Sequence, residues 1–257
     1  MTHLGNALHA LASGLRVAPG YRARLASIPA DLQAAQVLRF EVFNLELNEG
    51  LASSYDTGLD ADPFDSVCDH LIVEDLSDGV VVGTYRLQTG TKAAQSLGYY
   101  SEREFDFGPF EPMRTQVLEL GRACVHLRHR NFAVLNHLWK GIAAYAREKN
   151  TRYLIGCSSL TSRDAAAGVA AWNQLAPHRA PAAWCTDPTP RFACPLDGPA
   201  GPPAKIPRLL SAYLRLGAAI CAPPAIDREF GTIDFLTWLD IESPSMVAMQ
   251  HRGRFIA

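Results

Sequence analysis

No Cys-x-x-Cys pair occurs among Cys68, Cys124, Cys157, Cys185, Cys194 and Cys221, so neither a zinc ribbon nor a dithiol redox motif is written into the chain. Most of these thiols sit in apolar runs, where a reduced, buried cysteine is expected, and that usage suits a reducing cytoplasm. No apolar run approaches the roughly 18 residues of a membrane span. Charge of one sign is also lacking: a net charge of −2 argues against a nucleic-acid partner, whose binding domain would be strongly basic. No Gly-x-Ser-x-Gly is present, no repeat stands out, and no metal-ligand spacing is legible. The chain is not short of core material. Its 257 residues are 48% hydrophobic and 19% charged, an ordinary balance for a globular protein.

Residues 1–19 lack the basic start of a signal peptide, and His3, Asn6 and His9 interrupt their apolar character. Leu4, Leu8, Leu11 and Leu15 recur at helical spacing, which predicts an amphipathic or disordered arm with peripheral contact to the inner membrane left open. From residue 20 to 257 a single α/β domain is expected. Tyr21, Ala23 and Leu25 alternate as in a half-buried strand. Asp31 is placed to cap a helix carrying Leu32, Ala35, Leu38, Val42 and Leu45. Asp78-Gly79 marks a hairpin between two β-rich runs.

"QVLELGRACVHL" reads as a strand, and residues 132–148 as the strongest helix, with Phe132, Leu135, Trp139, Ile142 and Ala146 on one face. "RYLIGC" returns as a strand. Nine prolines from Pro177 to Pro207 predict a rigid insertion without regular structure. A helix at "PRLLSAYLRLG" and a strand at "GTIDFLTWLDI" close the order.

Two features ask for chemistry. Glu119 and Arg122 place fixed charges inside an apolar strand. Regular alternation would send them to opposite faces, but Gly121 between them predicts a bulge that aims both into one cleft. Cys68-x-His70 also faces one way, and is expected to be a packing feature. Downstream, Arg128, Arg130 and Asn131 stand before a helix whose first amides, at Phe132 and Ala133, and dipole suit a phosphate. Asn131 is expected to take the left-handed conformation of such a turn.

The spacing Arg128-x-x-Asn131-x-Ala133 resembles the acyl-CoA loop of the GCN5-related N-acyltransferase (GNAT) superfamily, with Asn131 in place of its first glycine. The series Arg39, Phe43, Asp62, Asp65, Arg86, Glu119 and Arg122 resembles the signature of acyl-homoserine-lactone synthases and long-chain N-acyl amino acid synthases. The wording of "RFEVFNLELNEG", "CDHLIV", "YYSEREFDF", "ELGRACVH", "LLSAYLRLGAAICAPPAIDREFG" and "FLTWLDI" is similar to the ornithine N-acyltransferases of ornithine-lipid synthesis, over roughly residues 20–242.

That resemblance implies a GNAT-like fold, with a mostly antiparallel twisted sheet flanked by helices and splayed strands forming an acyl-pantetheine cleft. It implies an acyltransferase moving a 3-hydroxyacyl chain from acyl carrier protein, or acyl-CoA, to the α-amine of ornithine. No permanently bound cofactor is implied. Glu119 would serve as base or amine anchor with Arg122 orienting it. Arg39 and Arg86, beside Phe43, would hold the amino acid carboxylate, and Asp62 and Asp65 the second ammonium. The basic run Arg128, Arg130, Lys140, Arg147, Lys149 and Arg152 would attract an acidic carrier. Other acceptors (glycine, tyrosine), a homoserine-lactone synthase and a non-catalytic acyl-carrier binding module remain open alternatives.

Overall fold

Asp78 and Gly79 turn the chain between β2 (Asp69–Asp75) and β3 (Val81–Thr89). Gly79 takes φ +78°, and the Asp78 carboxylate accepts the Val80 amide at 3.0 Å. This hairpin belongs to one eight-stranded sheet in a computed structural model that describes residues 20–251. The arm expected at residues 1–19 lies outside the described residues.

Strand β1 (Tyr21–Leu25), β4 (Val117–Val125), β5 (Tyr153–Leu160), β6 (Ala219–Ile220), β7 (Ala225–Asp227) and β8 (Thr232–Asp240) complete the sheet. Its order is β1-β2-β3-β4-β5-β8-β6, with β7 also on β8. Among these strands, the β4/β5 pairing alone is parallel. The mostly antiparallel sheet expected from the GNAT resemblance is thus present.

Among the described residues, seven α-helices flank it: α1 (Pro29–Phe40), α2 (Ser54–Thr57), α3 (Gly90–Ala94), α4 (Phe132–Glu148), α5 (Ala165–Gln174), α6 (Arg208–Arg215) and α7 (Pro244–His251). Helix α4 keeps its expected bounds, but its core face is rotated. Val134, Leu138, Trp139, Ile142, Tyr145 and Ala146 are buried, whereas Phe132 is 46% exposed. They pack against Leu71, Val73, Leu87 and Leu118 of the sheet. On the other face Phe105, Phe107, Phe110, Ile155, Leu236 and Trp238 form a second apolar core.

Asp31 caps α1 from within its first turn rather than from the position before it. It occupies the third helical position, and its carboxylate reaches back to the amides of Ser27 (2.8 Å) and Ile28 (3.3 Å) while Arg24 grips it at 2.6 and 2.7 Å. After Phe40 the helix widens into a π-helical turn, Glu41–Glu46, which keeps Phe43 buried but throws Leu45 outward at 60% exposure. The Pro-rich stretch has only two short 3₁₀ turns, as the prolines predict.

Two irregularities shape the middle of the sheet. Strands β4 and β5 pair only at Val117/Tyr153, Leu118/Leu154 and Glu119/Ile155. Beyond that point β4 continues on β3 and β5 on β8, so the ladder between them opens. Gly156 makes the approach close: a Cβ there would meet the Leu120 carbonyl oxygen at 2.2 Å. The second irregularity is a bulge. Thr84 pairs with Cys124 and Arg86 with Gly121, so Arg122 and Ala123 together oppose Tyr85. The left-handed residue is Arg122 itself, at φ +48°, rather than the neighbouring glycine.

Candidate active site

The bulge brings three arginines and three aspartates into a closed ring of alternating charge. From α1, Arg39 places Nε 2.9 Å from Asp60 and Nη1 3.0 Å from Asp65. Arg86 on β3 bonds Asp65 (3.1 Å) and Asp62 (2.6 Å) through Nη1. Arg122 bonds Asp62 through Nη2 (2.9 Å) and lies 3.2 Å from Asp60 through Nε, closing the circuit. All six side chains are at most 7% exposed.

The loop Leu59–Asp65 can supply three acids because Asp62 starts a 3₁₀ turn: Pro63 fixes the next φ and the Asp62 carboxylate accepts the Phe64 amide at 2.8 Å. Burial pushes the Asp62 carboxyl up, but Arg86 and Arg122 outweigh it and hold the group below the usual carboxylate range. Asp65 is likewise held low, with Arg39 and Arg86 overcoming burial.

This ring pairs several of the expected substrate-binding residues with one another. Arg39 is fully buried and pairs with Asp60 and Asp65. Asp62 is engaged by Arg86 and Arg122, and Asp65 by Arg86 and Arg39. Arg122 pairs with Asp60 and Asp62, not with Glu119. Phe43 packs edge-on against Phe230 (5.4 Å), whose ring in turn lies 4.5 Å from the Arg122 guanidinium. Arg86 Nη2 is buried with no hydrogen-bond partner, as are Arg39 Nε and Arg122 Nε, which each lie within ion-pair distance of Asp60. Asp60 was legible as the first acid of "DADPFD" but carried no signal separating it from a solvated loop.

Glu119 faces the same side of the sheet through the Gln88/Glu119 and Arg86/Gly121 pairings. Its two oxygens accept the amides of Tyr100 (2.9 Å) and Ser101 (2.8 Å). Burial pushes its carboxyl up, against the pull of those amides. Each oxygen retains a further acceptor site. Tyr100 is the hub: its ring lies 5.1 Å from the Arg86 guanidinium and 4.8 Å from that of Arg122. The expectation that the bulge aims both charges to one side is realised through this ring. Cys68-x-His70 is bound up with the loop instead, His70 Nε2 lying 3.0 Å from the Asp65 carbonyl oxygen.

At the far end of β4 the loop before α4 differs from expectation. Asn131 is extended (φ −122°, ψ 168°) and caps the helix, its Oδ1 accepting the Val134 amide at 3.1 Å while its Nδ2 donates to Tyr21. The first-turn amides of Phe132 and Ala133 have no partner within the helix. Arg130 is paired bidentately with Glu46 (2.5 and 2.6 Å). Arg152 pairs with Asp240 and Glu242, and Lys149 with Glu148. Among the described residues, the exposed cations of this run without an acidic partner are Arg128, Lys140 and Arg147. Among the described residues, no helix is long and apolar enough to cross a membrane.

The model of the acetyltransferase (GNAT) domain family matches residues 38–140, which span the ring and Glu119. An L-ornithine N(alpha)-acyltransferase of Brucella abortus is 36% identical over 250 residues, covering 90% of this chain and 88% of its own. The chain belongs to the L-ornithine N(alpha)-acyltransferase family. It is an acyltransferase with a GNAT-like fold. Among solved structures, the AHL synthase LasI superposes with a TM-score of 0.54 at 12% identity, over 91% of this chain and 96% of its own. FeeM, an N-acyl amino acid synthase from uncultured soil microbes, gives 0.54 at 11%, over 88% and 93%. Both share the fold of this family member.

Proposed function

We propose that this acyltransferase moves a 3-hydroxyacyl chain from the phosphopantetheine thioester of acyl carrier protein to the α-amine of L-ornithine, giving lyso-ornithine lipid. The observation that carries this reading is the relatedness of the chain, across 90% of its length, to an enzyme of that name. In this reading the thioester enters the opening between β4 and β5, and its phosphate meets the Phe132 and Ala133 amides with Arg128. Arg86 takes the acceptor carboxylate with its spare Nη2. Glu119, whose carboxyl is raised above its usual range by burial, anchors the α-amine and receives its proton.

The amine nitrogen attacks the thioester carbonyl. The C–N bond forms, the C–S bond breaks, and the sulfur leaves as a thiolate that needs no enzyme nucleophile. A backbone amide at the bulge supplies a donor to the oxyanion. Arg122 acts through the ring, by holding Asp62 against Arg86.

The test supplies the purified protein with L-ornithine and matched 3-hydroxyacyl donors on carrier protein and on CoA. Mass spectrometry should find N-acylornithine, formed faster from the carrier and with a rate that falls as salt rises. Equal efficiency from CoA without salt dependence would refute the carrier as donor, and no N-acylornithine from either would refute the reaction.

A further inference from the structure

A second acidic group lies beyond Tyr100, on three segments that sequence distance separates. One carboxylate oxygen from each of Glu104, Asp227 and Asp234 lies within 4.8 Å of the other two. The three are 2%, 5% and 3% exposed. Unlike the acids of the ring, they face no guanidinium within ion-pair distance among the described residues; nearby Arg103 reaches Glu229 instead, at 3.8 Å. Glu104 Oε2 and Asp234 Oδ1 are buried without any hydrogen-bond partner. Burial first, and then the neighbouring acids, push the Glu104 carboxyl well above the usual range, and burial also raises that of Asp234. Buried acids with no basic partner are neutralised either by a proton or by a bound cation, and a cation here would displace the proton.

Its place in the fold connects it to the acceptor site. Glu119 holds the amides of Tyr100 and Ser101, and Glu104 follows one 3₁₀ turn later, its amide bonded to the Ser101 carbonyl at 3.1 Å. Such a turn advances about 2 Å per residue, so about 6 Å separates its two ends. An extended diamino acid places its nitrogens five bonds apart, on the same order. The Tyr100 hydroxyl is within electrostatic reach of Arg122 and of the acids Glu104 and Asp227. Burial pushes it up to about 12, Arg122 pulls against this, and Glu104 and Asp227 add to it.

The rest of the cluster is spoken for in a way that favours an ammonium over a metal. Asp227 Oδ1 accepts the amides of Glu229 (2.8 Å) and Phe230 (2.9 Å), and Asp234 Oδ2 accepts the Thr232 hydroxyl (2.9 Å). One oxygen per carboxylate matches the three N–H donors of an alkylammonium. Calcium would ask for six to eight oxygens and magnesium for an octahedron.

We propose that Glu104, Asp227 and Asp234 bind the distal ammonium of the acceptor amino acid and so select a diamino over a monoamino substrate. This rests on the ornithine reading above and replaces Asp62 and Asp65 in that role. The experiment compares kcat/KM for L-ornithine and for L-2-aminopentanoate, which lacks only the δ-amine, with one acyl donor, in wild type, Glu104→Gln and Asp234→Asn. The ornithine-to-aminopentanoate ratio should fall by about 100-fold in each variant. Ornithine should raise the melting temperature of the wild type, and this shift should vanish in the variants.

A ratio unchanged in both variants, with ornithine still stabilising them, would overturn the proposal. So would calcium or manganese alone stabilising the wild type, with loss of ornithine turnover after EDTA treatment. A wild type that acylates neither amino acid would refute the acceptor class itself, whatever the variants do.

Discussion

Glu49 offers a measurement of how strongly this end of the sheet disfavours negative charge. It is 7% exposed, and its Oε2 accepts the Thr161 hydroxyl at 2.7 Å. Burial raises its pKa from 4.5 to about 7; the Thr161 bond opposes the rise, Asp234 adds to it and Arg122 subtracts. The folded state therefore holds a proton that the unfolded chain releases. For a carboxyl raised in this way stability is lost as pH climbs from the unfolded value through about 7, and the loss is complete above it. At 1.36 kcal/mol per pKa unit, the penalty at pH 8 is about 3 kcal/mol.

Glu49→Gln keeps the size and the acceptor for Thr161 but cannot ionise. Urea denaturation of wild type and variant at pH 4 and pH 8 isolates the effect, because groups common to both cancel in the difference. The variant should gain about 3 kcal/mol over wild type at pH 8 relative to its difference at pH 4. A difference that does not move with pH would show that Glu49 ionises freely in the folded protein, and the reasoning from burial would fail.

Arg39→Met removes the cation between Asp60 and Asp65 and should cost about 3–5 kcal/mol in urea denaturation, with the deficit shrinking toward pH 4 as the stranded acids protonate. A loss under 1 kcal/mol would show that the ring is not electrostatically closed. Glu119→Gln presents an NH₂ group to one of the two amides that its carboxylate now accepts, so the Tyr100–Glu104 segment should shift. Acyl transfer should drop by about 100-fold or more, with the melting temperature within a few degrees of wild type. Turnover at the parent rate would remove Glu119 from the chemistry.

The parts of this fold that follow from near neighbours were legible. Asp78-Gly79 dictates its hairpin, and the apolar period of residues 132–148 fixes both ends of α4. Helix α5 escaped because an alanine-rich run has no apolar stripe to count, and β6 and β7 because two or three residues carry no period. In the site, fixed charges inside an apolar strand marked Glu119 and Arg122, and the family resemblance marked Arg86, yet their partners were invisible. Arg122 finds Asp62 sixty positions away, so charge pairing is a property of the closed sheet rather than of the motif. The same holds for Asp234, another charge within an apolar strand: its meaning depends on Glu104, delivered from a 3₁₀ turn on the other side of β4.

The Pro-rich stretch grips the 3₁₀ segment that carries Glu104. Thr189 donates its amide to the Glu104 carbonyl (2.7 Å) and its hydroxyl to that of Arg103 (3.1 Å), and Asp106 exchanges bonds with Thr186 and Asp187. Because proline fixes φ, this stretch has few conformations to surrender on folding, and Pro188 and Pro190 flank the gripping threonine directly. The carboxylate that would read the far end of an acceptor is thus held by a piece of chain outside the sheet, already stiff before it docks. Acceptor choice could drift through changes in that stretch alone, while the ring and the thioester cleft stay as they are.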